Sequence, residues 1–339
     1  MPRLKKNIVR LALLFLASYG MLYFSYKYYV PWSGGSDFSQ YYNMYLSPLD
    51  FDVAPSPIVF RQLSVIATHL VYIAGIYYPN SIWFNDVSYD QHVFFAALLT
   101  NYIFLVFTAW GVGAIVEHAL GHRNFLPATI GGLFCLLSFH SQVSVITGLT
   151  EGVSWFLLAL AFLFYLRQQA LSVFIILALA ILQRETILIV FASISGIALL
   201  LQHEKRRFNA IIFLWSIACC IAYLLMRTII LPIPGATEQT DPAAILEHLR
   251  TFHLTRDILF QGFLSQNLLW LYLVAVILFG DEQSRRFWLP TLLGTFLVLT
   301  VVSIAAGIDN NLGRIASILS PIWAAFVATS CVRLDRVTA

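Results

Sequence analysis

A chain of 339 residues in which 59% are hydrophobic and 11% are charged lies outside the range of soluble domains, where about a quarter of the residues are charged. The mean hydropathy of +0.78 agrees with this, so we expect an all-α polytopic membrane protein. The formal net charge of +3 gives no indication of a nucleic-acid partner. The four cysteines lie in apolar runs without a histidine at metal-binding spacing, and they predict neither a disulfide framework nor a redox motif.

The first apolar run, 8–30, follows a basic N-terminus. It is long for a signal peptide and lacks an obvious small-residue cleavage site, which predicts an uncleaved first helix with a cytoplasmic N-terminus. A spanning helix needs about 20 mostly apolar residues. The other segments that we expect to span are 91–117, 127–147, 208–231, 263–280, 287–306 and 313–331, with 152–167 as a short one.

The basic clusters fix the expected orientation, because Lys and Arg are enriched in cytoplasmic loops. If the clusters around Arg10 and Arg123 are both cytoplasmic, the chain crosses the bilayer an even number of times between them. The segment 58–78 should then not cross. We expect it to lie on the outer surface as an amphipathic helix, with a polar face of Arg61, Ser64, Thr68 and Tyr72. Because the cluster Arg333 to Arg336 is also basic, we expect the C-terminus to be cytoplasmic as well.

A second ambiguous segment, 171–201, is too long for one span and is interrupted by Gln183-Arg184-Glu185. Both of its ends are basic, so we predict that it enters the membrane and returns, with Arg184 and Glu185 at the turning point. A charge at a helix centre costs about 2.5–3.5 kcal/mol on insertion scales, which favours a water-filled cavity open to the outside.

The expected architecture is a single transmembrane domain, 1–339, in a bundle of about 8–10 spanning helices. Its first extracytoplasmic loop, 31–90, should carry surface helices. A second large extracytoplasmic loop, 232–262, should contain another surface helix. No internal repeat is evident.

Two acids are candidates for chemistry at the outer face. Asp37 begins the first outside loop, where its carboxylate is either a general base or the N-cap of a helix through Phe38 to Leu46, and the two roles are compatible. Glu151 opens a helix after Thr150. It is either a favourable acid at a helix N-terminus or a second acid facing the cavity.

Several other polar residues carry weaker signals. Asp50 and Asp52 form an Asp-x-Asp pair that can share a divalent cation or can simply solvate a loop. Arg61 either binds a phosphate or extends towards lipid headgroups. His140, late in the third predicted span, is more typical of a packing residue than of a ligand.

Charged residues inside membrane segments are functional candidates by default. Arg184 and Glu185 are such a pair, although a buried ion pair can also serve structure alone. Arg314 opens the last predicted span at the outer interface. By the predicted topology Asp37, Glu151, Arg184 and Arg314 return to the outer leaflet, an arrangement that suits a lipid phosphate and sugar hydroxyls.

This pattern resembles the GT-C superfamily of integral-membrane glycosyltransferases, and most closely its small bacterial members of the polyprenyl-phosphate-mannose type. The residues that carry the resemblance are Asp37-Phe38 with Tyr41-Tyr42, Pro57-Ile58-Val59-Phe60-Arg61-Gln62-Leu63, Thr150-Glu151, Arg184-Glu185-Thr186, and Arg314 with Pro321. The likeness covers most of the chain in layout. The chain departs from other branches in having no large soluble domain after the last helix and no Asp-Glu pair at position 37.

The resemblance implies sugar transfer on the extracytoplasmic face of the cytoplasmic membrane. It implies a polyprenyl-phosphate-linked sugar donor, a glycan or lipid acceptor, and surrounding membrane lipids as partners. Asp37 matches the catalytic base of that family, and Arg184 and Arg314 match its phosphate-binding arginines. Two alternatives remain at this stage, namely a transporter or flippase for a lipid-linked sugar and a non-catalytic subunit of an envelope assembly.

Overall fold

The computed structural model describes residues 3–28, 37–54, 58–76, 90–121, 124–138, 148–230, 242–253, 288–295, 298 and 317–337. These residues form helices, turns and short connections, and no β-strand occurs among them. The helices are α1 (Arg3–Tyr28), α2 (Asp37–Leu46), α3 (Gln62–Ile73), α4 (Gln91–Ala119), α5 (Phe125–Leu136), α6 (Glu151–Leu166), α7 (Ala170–Ala180), α8 (Glu185–Leu201), α9 (Arg206–Leu225), α10 (Pro242–Thr251) and α11 (Ser320–Val337). Residues 288–295 are also helical.

Three of the described helices are long and apolar enough to cross a membrane, over Lys5–Tyr28, Gln91–Ala119 and His203–Ile229. The second of these is α4, the central helix, which packs against α1, α3, α5, α6 and α11. The other two lie at the periphery and leave large apolar side chains exposed, including Leu16 at 72% and Leu214 at 65%. Apolar faces of this extent are typical of surfaces that contact lipid or another apolar partner.

Small residues allow α4 and α5 to pack closely. A Cβ atom added to Gly113 of α4 would lie 2.8 Å from the carbonyl oxygen of Ala128, and one added to Gly132 of α5 would lie 2.8 Å from that of Ala109. Each glycine therefore faces an alanine across the interface. Close backbone approach at small residues is the usual way in which apolar helices gain van der Waals contact in membranes.

A buried ion pair joins α1 to α4 at one end of the bundle. The guanidinium of Arg10 donates to Glu117 Oε1 at 2.7 Å and lies 5.9 Å from the ring centre of Trp110. The Arg10 side chain is only 2% exposed. His118, at the same end of α4, interacts electrostatically with Arg167 and Lys205. We call this end of the molecule the basic end.

The break that was predicted within 171–201 is present. α7 and α8 are separate helices joined by residues 181–184, and Arg184 is the last residue before α8 begins. The helix predicted after Asp37 is confirmed as α2, and the one predicted in loop 232–262 as α10. The predicted spans 208–231 and 91–117 correspond closely to α9 with its π-helical extension 226–230 and to α4.

Two expectations need correction. The span predicted over 127–147 is shorter within the described residues, because α5 ends at Leu136. The polar face predicted for 58–78 does not face outward, since Ser64 and Thr68 are each 2% exposed and Leu70 is 57% exposed. The physical reason is that the polar side chains of α3 meet partners inside the bundle. The predicted span 263–280 and most of 287–306 lie outside the described residues.

The contact between α4 and α6 gives a test of this packing. A Cβ on Gly152 would lie 2.7 Å from the Asn101 carbonyl oxygen and 2.9 Å from its Cα, so Gly152→Ala must push the two backbones apart. We expect a loss of roughly 1–3 kcal/mol of stability, measured by thermal unfolding in detergent.

Gly111→Ala is the matched control, because its methyl group would meet the Cβ of Ala159 at an ordinary 3.6 Å. Its better helix propensity should leave stability unchanged or raise it by up to about 1 kcal/mol. Equal melting temperatures for the two variants would contradict the close approach of α4 and α6.

Candidate functional site

The polar residues of the bundle interior concentrate where three helices begin. α3 starts after Arg61, α6 after Thr150 and α8 after Arg184, and α2 packs against the first of these helices. We define the polar cluster by the side chains that meet there, which are Tyr41, Arg61, Thr150, Glu151, Gln183 and Arg184.

Arg61 links α2 to the start of α6. One guanidinium nitrogen donates hydrogen bonds to the hydroxyl of Tyr41 and, at 3.3 Å, to Oγ1 of Thr150. Burial by itself lowers the pKa of the Arg61 guanidinium, but the neighbouring Tyr41, Glu151 and Glu185 more than offset this and raise it. The side chain therefore keeps its positive charge. Its Nε is buried without a hydrogen-bond partner among the described residues.

Two tyrosines of α2 complete this side of the cluster. Tyr41 and Tyr45 are one helical turn apart, with ring centres 6.1 Å apart and nearly parallel planes. The hydroxyl of Tyr45 donates to the carbonyl oxygen of Gly148 at 3.1 Å. Burial raises the pKa of both hydroxyls, so both act as neutral donors and acceptors. α2 is thus attached to the loop that precedes α6.

An ion pair between Arg184 and Glu151 forms the other side. Arg184 donates from a terminal guanidinium nitrogen to Glu151 Oε1 at 3.2 Å, and the two side chains are only 12% and 8% exposed. Glu151 Oε2 is buried and has no hydrogen-bond partner in the described part of the chain. A guanidinium has five N–H donors, and this bond uses one of them. The pair thus retains capacity to bind both an anion and a hydroxyl.

Gln183 connects the three helix starts. Its Oε1 accepts the backbone N–H of Ser64 at 3.0 Å, which satisfies a first-turn donor of α3. Its Nε2, which has two N–H donors, lies within hydrogen-bond distance of three acceptors, the hydroxyl of Ser64 at 2.6 Å, the carbonyl oxygen of Thr150 at 2.9 Å and the hydroxyl of Ser154 at 3.0 Å. The N–H of Leu63 also donates to the carbonyl oxygen of Leu182. The turn between α7 and α8 thereby caps α3.

A second amide caps α6 in the same way. Asn101, buried in the middle of α4, accepts the backbone N–H of Gly152 at 3.1 Å and donates to the carbonyl oxygen of Leu149. Neither Arg61 nor Thr150, the residues before α3 and α6, caps its own helix with its side chain. Both helix starts therefore depend on side chains from other helices.

The resulting electrostatics favour an anion. A helix N-terminus carries about half a positive charge, and three of them meet here beside Arg61 and Arg184. From α9, Tyr223 contacts the ring of Phe60 and interacts electrostatically with Glu185 and Arg227. The two carboxylates, of Glu151 and Glu185, are outnumbered by the three guanidinium groups of Arg61, Arg184 and Arg227.

Sequence reasoning identified part of this cluster. Glu151 and Arg184, two of the four residues that were predicted to meet, form an ion pair. Arg61, for which phosphate binding or contact with headgroups was predicted, lies beside them, hydrogen-bonded to Thr150 and in electrostatic range of Glu185. Asp37 is the first residue of α2, one turn before Tyr41, and its side chain lies outside the described part. His140 and Arg314 also lie outside it.

The Asp50 and Asp52 pair has a local explanation. Both residues are exposed, and Asp50 Oδ1 accepts the backbone N–H of Asp52 at 3.1 Å, which is an Asx turn. Among the described residues, no three His, Cys, Asp or Glu side chains come together as metal ligands would. The described residues therefore supply no third ligand for the divalent cation that the Asp50 and Asp52 pair suggested.

Arg227 was missed, although the rule that selected Arg184 applies to it. It is a single charge inside the apolar run 208–231, and it lies in the π-helical segment 226–230 with 8% exposure. Gln183 and Asn101 carried no comparable signal, because an amide in an apolar helix gives no indication of its partner.

Comparison with known proteins adds no assignment. No protein-family model matches the chain, and no curated protein matches it either. The resemblance to the GT-C superfamily thus depends on the sequence motifs, and the geometry of the polar cluster is the separate observation from which a function can be argued.

Gln183→Leu tests the central connection. The variant removes the acceptor of the buried Ser64 N–H, and a buried group left unsatisfied costs about 1–3 kcal/mol. The Thr150 carbonyl oxygen keeps the hydroxyls of Ser64 and Ser154 as donors. We therefore expect a loss of about 1–3 kcal/mol in thermal unfolding of the purified protein. Gln169→Leu makes the same change at an exposed position and should leave stability nearly unaltered. Similar melting temperatures for the two variants would show that Gln183 does not stabilise the connection between these helix starts.

Proposed function

We propose that the protein is an integral-membrane glycosyltransferase of the GT-C type, built from about 8–10 spanning helices. It transfers a sugar from a polyprenyl-phosphate donor to a glycan or lipid acceptor on the extracytoplasmic face of the cytoplasmic membrane, with inversion at the anomeric carbon. Both termini are cytoplasmic in this proposal.

The observation that carries the proposal is the meeting of three helix N-termini with buried arginines inside an otherwise apolar bundle. Buried charge is costly unless it is paired or used. Arg184 is held by Glu151 at 3.2 Å and keeps donors for a second anion, and Arg61 is oriented by Tyr41 and Thr150. A phosphate attached to a long lipid is a ligand that matches both the charge and the apolar surroundings.

The reaction assigns a role to each group. Asp37 takes the proton of the acceptor hydroxyl, whose oxygen then forms a bond to the anomeric carbon from the face opposite the phosphate. The bond from that carbon to the phosphate oxygen breaks, and its electron pair leaves with polyprenyl phosphate. Arg184, Arg61 and Arg314 stabilise the charge that grows on the phosphate. Glu151 Oε2 accepts a hydrogen bond from a sugar hydroxyl.

The decisive experiment is a transfer assay with reconstituted protein, polyprenyl-phosphate hexoses as donors and a membrane glycan and lipid extract as acceptor. Loss of a general base costs about 100- to 10,000-fold, so Asp37→Asn should reduce kcat by at least 100-fold. Arg184→Gln should raise KM for the donor, because Arg184 binds the donor phosphate, and should lower kcat, because it binds the phosphate more strongly as negative charge grows in the transition state.

Asp90→Asn is the matched control. It removes one carboxylate charge from the same predicted loop, and asparagine caps α4 as well as aspartate does. Undiminished transfer by Asp37→Asn would exclude Asp37 as the base. Movement of the lipid-linked sugar across the bilayer without a new glycosidic bond would favour a transporter instead.

A further inference from the structure

We infer that the basic end of the bundle, opposite the polar cluster, binds the phosphate headgroup of an anionic phospholipid. α8 begins beside the polar cluster at Glu185 and ends at Leu201. Beyond its end lies a cavity of about 530 Å³, lined by residues 201–205, which include the acid Glu204 as well as Lys205, and by Leu289 and Pro290 of the helical segment 288–295. This volume is within the range of ligand sites, about 300–1,000 Å³.

A smaller cavity continues from it towards the interior. It measures about 30 Å³, shares Gln202, Lys205 and Pro290 with the larger one, and is lined on its inner side by Asn209. The Oδ1 of Asn209 accepts the hydroxyl of Tyr165 at 2.7 Å. Its Nδ2 is buried without a hydrogen-bond partner in the described residues, and the residue is fully buried. An unused buried donor beside a cavity indicates a ligand oxygen or a water bound to one.

The positive charge around the opening of the larger cavity also favours binding of an anion. Lys205, Arg206 and Arg207 stand at or before the first turn of α9, and Glu204, which also lines the cavity, offsets one of these three positive charges. No side chain caps this helix start, and its first turn contains no acidic residue. Cations at a helix N-terminus are unfavourable because that end is already positive. A phosphate bound there would offset the positive charge of these side chains and of the helix N-terminus.

The surroundings favour a lipid over a soluble phosphate. Leu200 and Leu201 are 72% and 50% exposed at the end of α8, and Leu289 and Leu293 are 41% and 46% exposed on the neighbouring helical segment. Apolar side chains thus flank the polar opening on both sides. A ligand with a phosphate at one end and acyl chains at the other satisfies both surfaces. This site does not depend on the transfer reaction.

Native mass spectrometry of the full-length protein, with phosphatidylglycerol or phosphatidylcholine added at equal concentration, tests the inference. We expect preferential retention of phosphatidylglycerol. Lys205→Gln should weaken that binding about fivefold, the effect of one cation near a lipid headgroup. Asn209→Asp keeps an oxygen for Tyr165 but places a carboxylate where the donor was, and it should weaken binding further.

Lys6→Gln is the control, since it removes one charge from an exposed position near the start of α1. It should bind phosphatidylglycerol as the wild type does. Equal binding by Lys205→Gln and Lys6→Gln would overturn the inference, even if Asn209→Asp failed to fold. Displacement of phosphatidylglycerol by an equal concentration of inorganic phosphate would also overturn it, because the acyl chains would then contribute nothing.

Discussion

The carboxamide of Gln183 satisfies backbone and hydroxyl groups at the starts of α3 and α6, and the arrangement of the bundle interior depends on it. Helices that begin inside an apolar bundle expose N–H groups that water cannot reach. Gln183 accepts from the first turn of α3 and donates to the residue before α6, while Asn101 serves α6 from α4. These two amides stabilise helix starts inside the bundle, and the polar cluster forms where those helices start.

The same constraint explains why charge collects at this point. Breaks in helices place positive dipole ends, polar turns and first-turn acids together, and Glu151 and Glu185 are such first-turn acids. The arginines form ion pairs and hydrogen bonds with these groups, which a continuous apolar helix would not provide. Discontinuous helices recur at ligand sites in membrane proteins for this reason. In this chain the starts of three helices contribute to one cluster, and one of them, α8, follows a break in an apolar segment.

The sequence was sufficient to predict features that depend on local pattern. The turn at Arg184 followed from charges inside an apolar run, and α2 followed from a turn-rich segment with an acid at its start. Features that depend on tertiary hydrogen bonds could not be predicted. The polar face of α3 was assigned to the outside, whereas Ser64 binds Gln183, which lies 119 residues away in sequence. A helical period shows that a face is polar but does not show what covers it.

The depth of the polar cluster bears on whether the site carries out transfer or transport. α8 has 17 residues, so about 25 Å separates the polar cluster at its start from the cavity of about 530 Å³ beyond its end. If that cavity lies at the level of the cytoplasmic headgroups, the polar cluster lies most of the way across a hydrocarbon core about 30 Å thick. Substrate sites of secondary transporters lie near the midplane. A cluster close to the outer boundary instead suits a lipid phosphate that stays in the outer leaflet while its sugar is transferred.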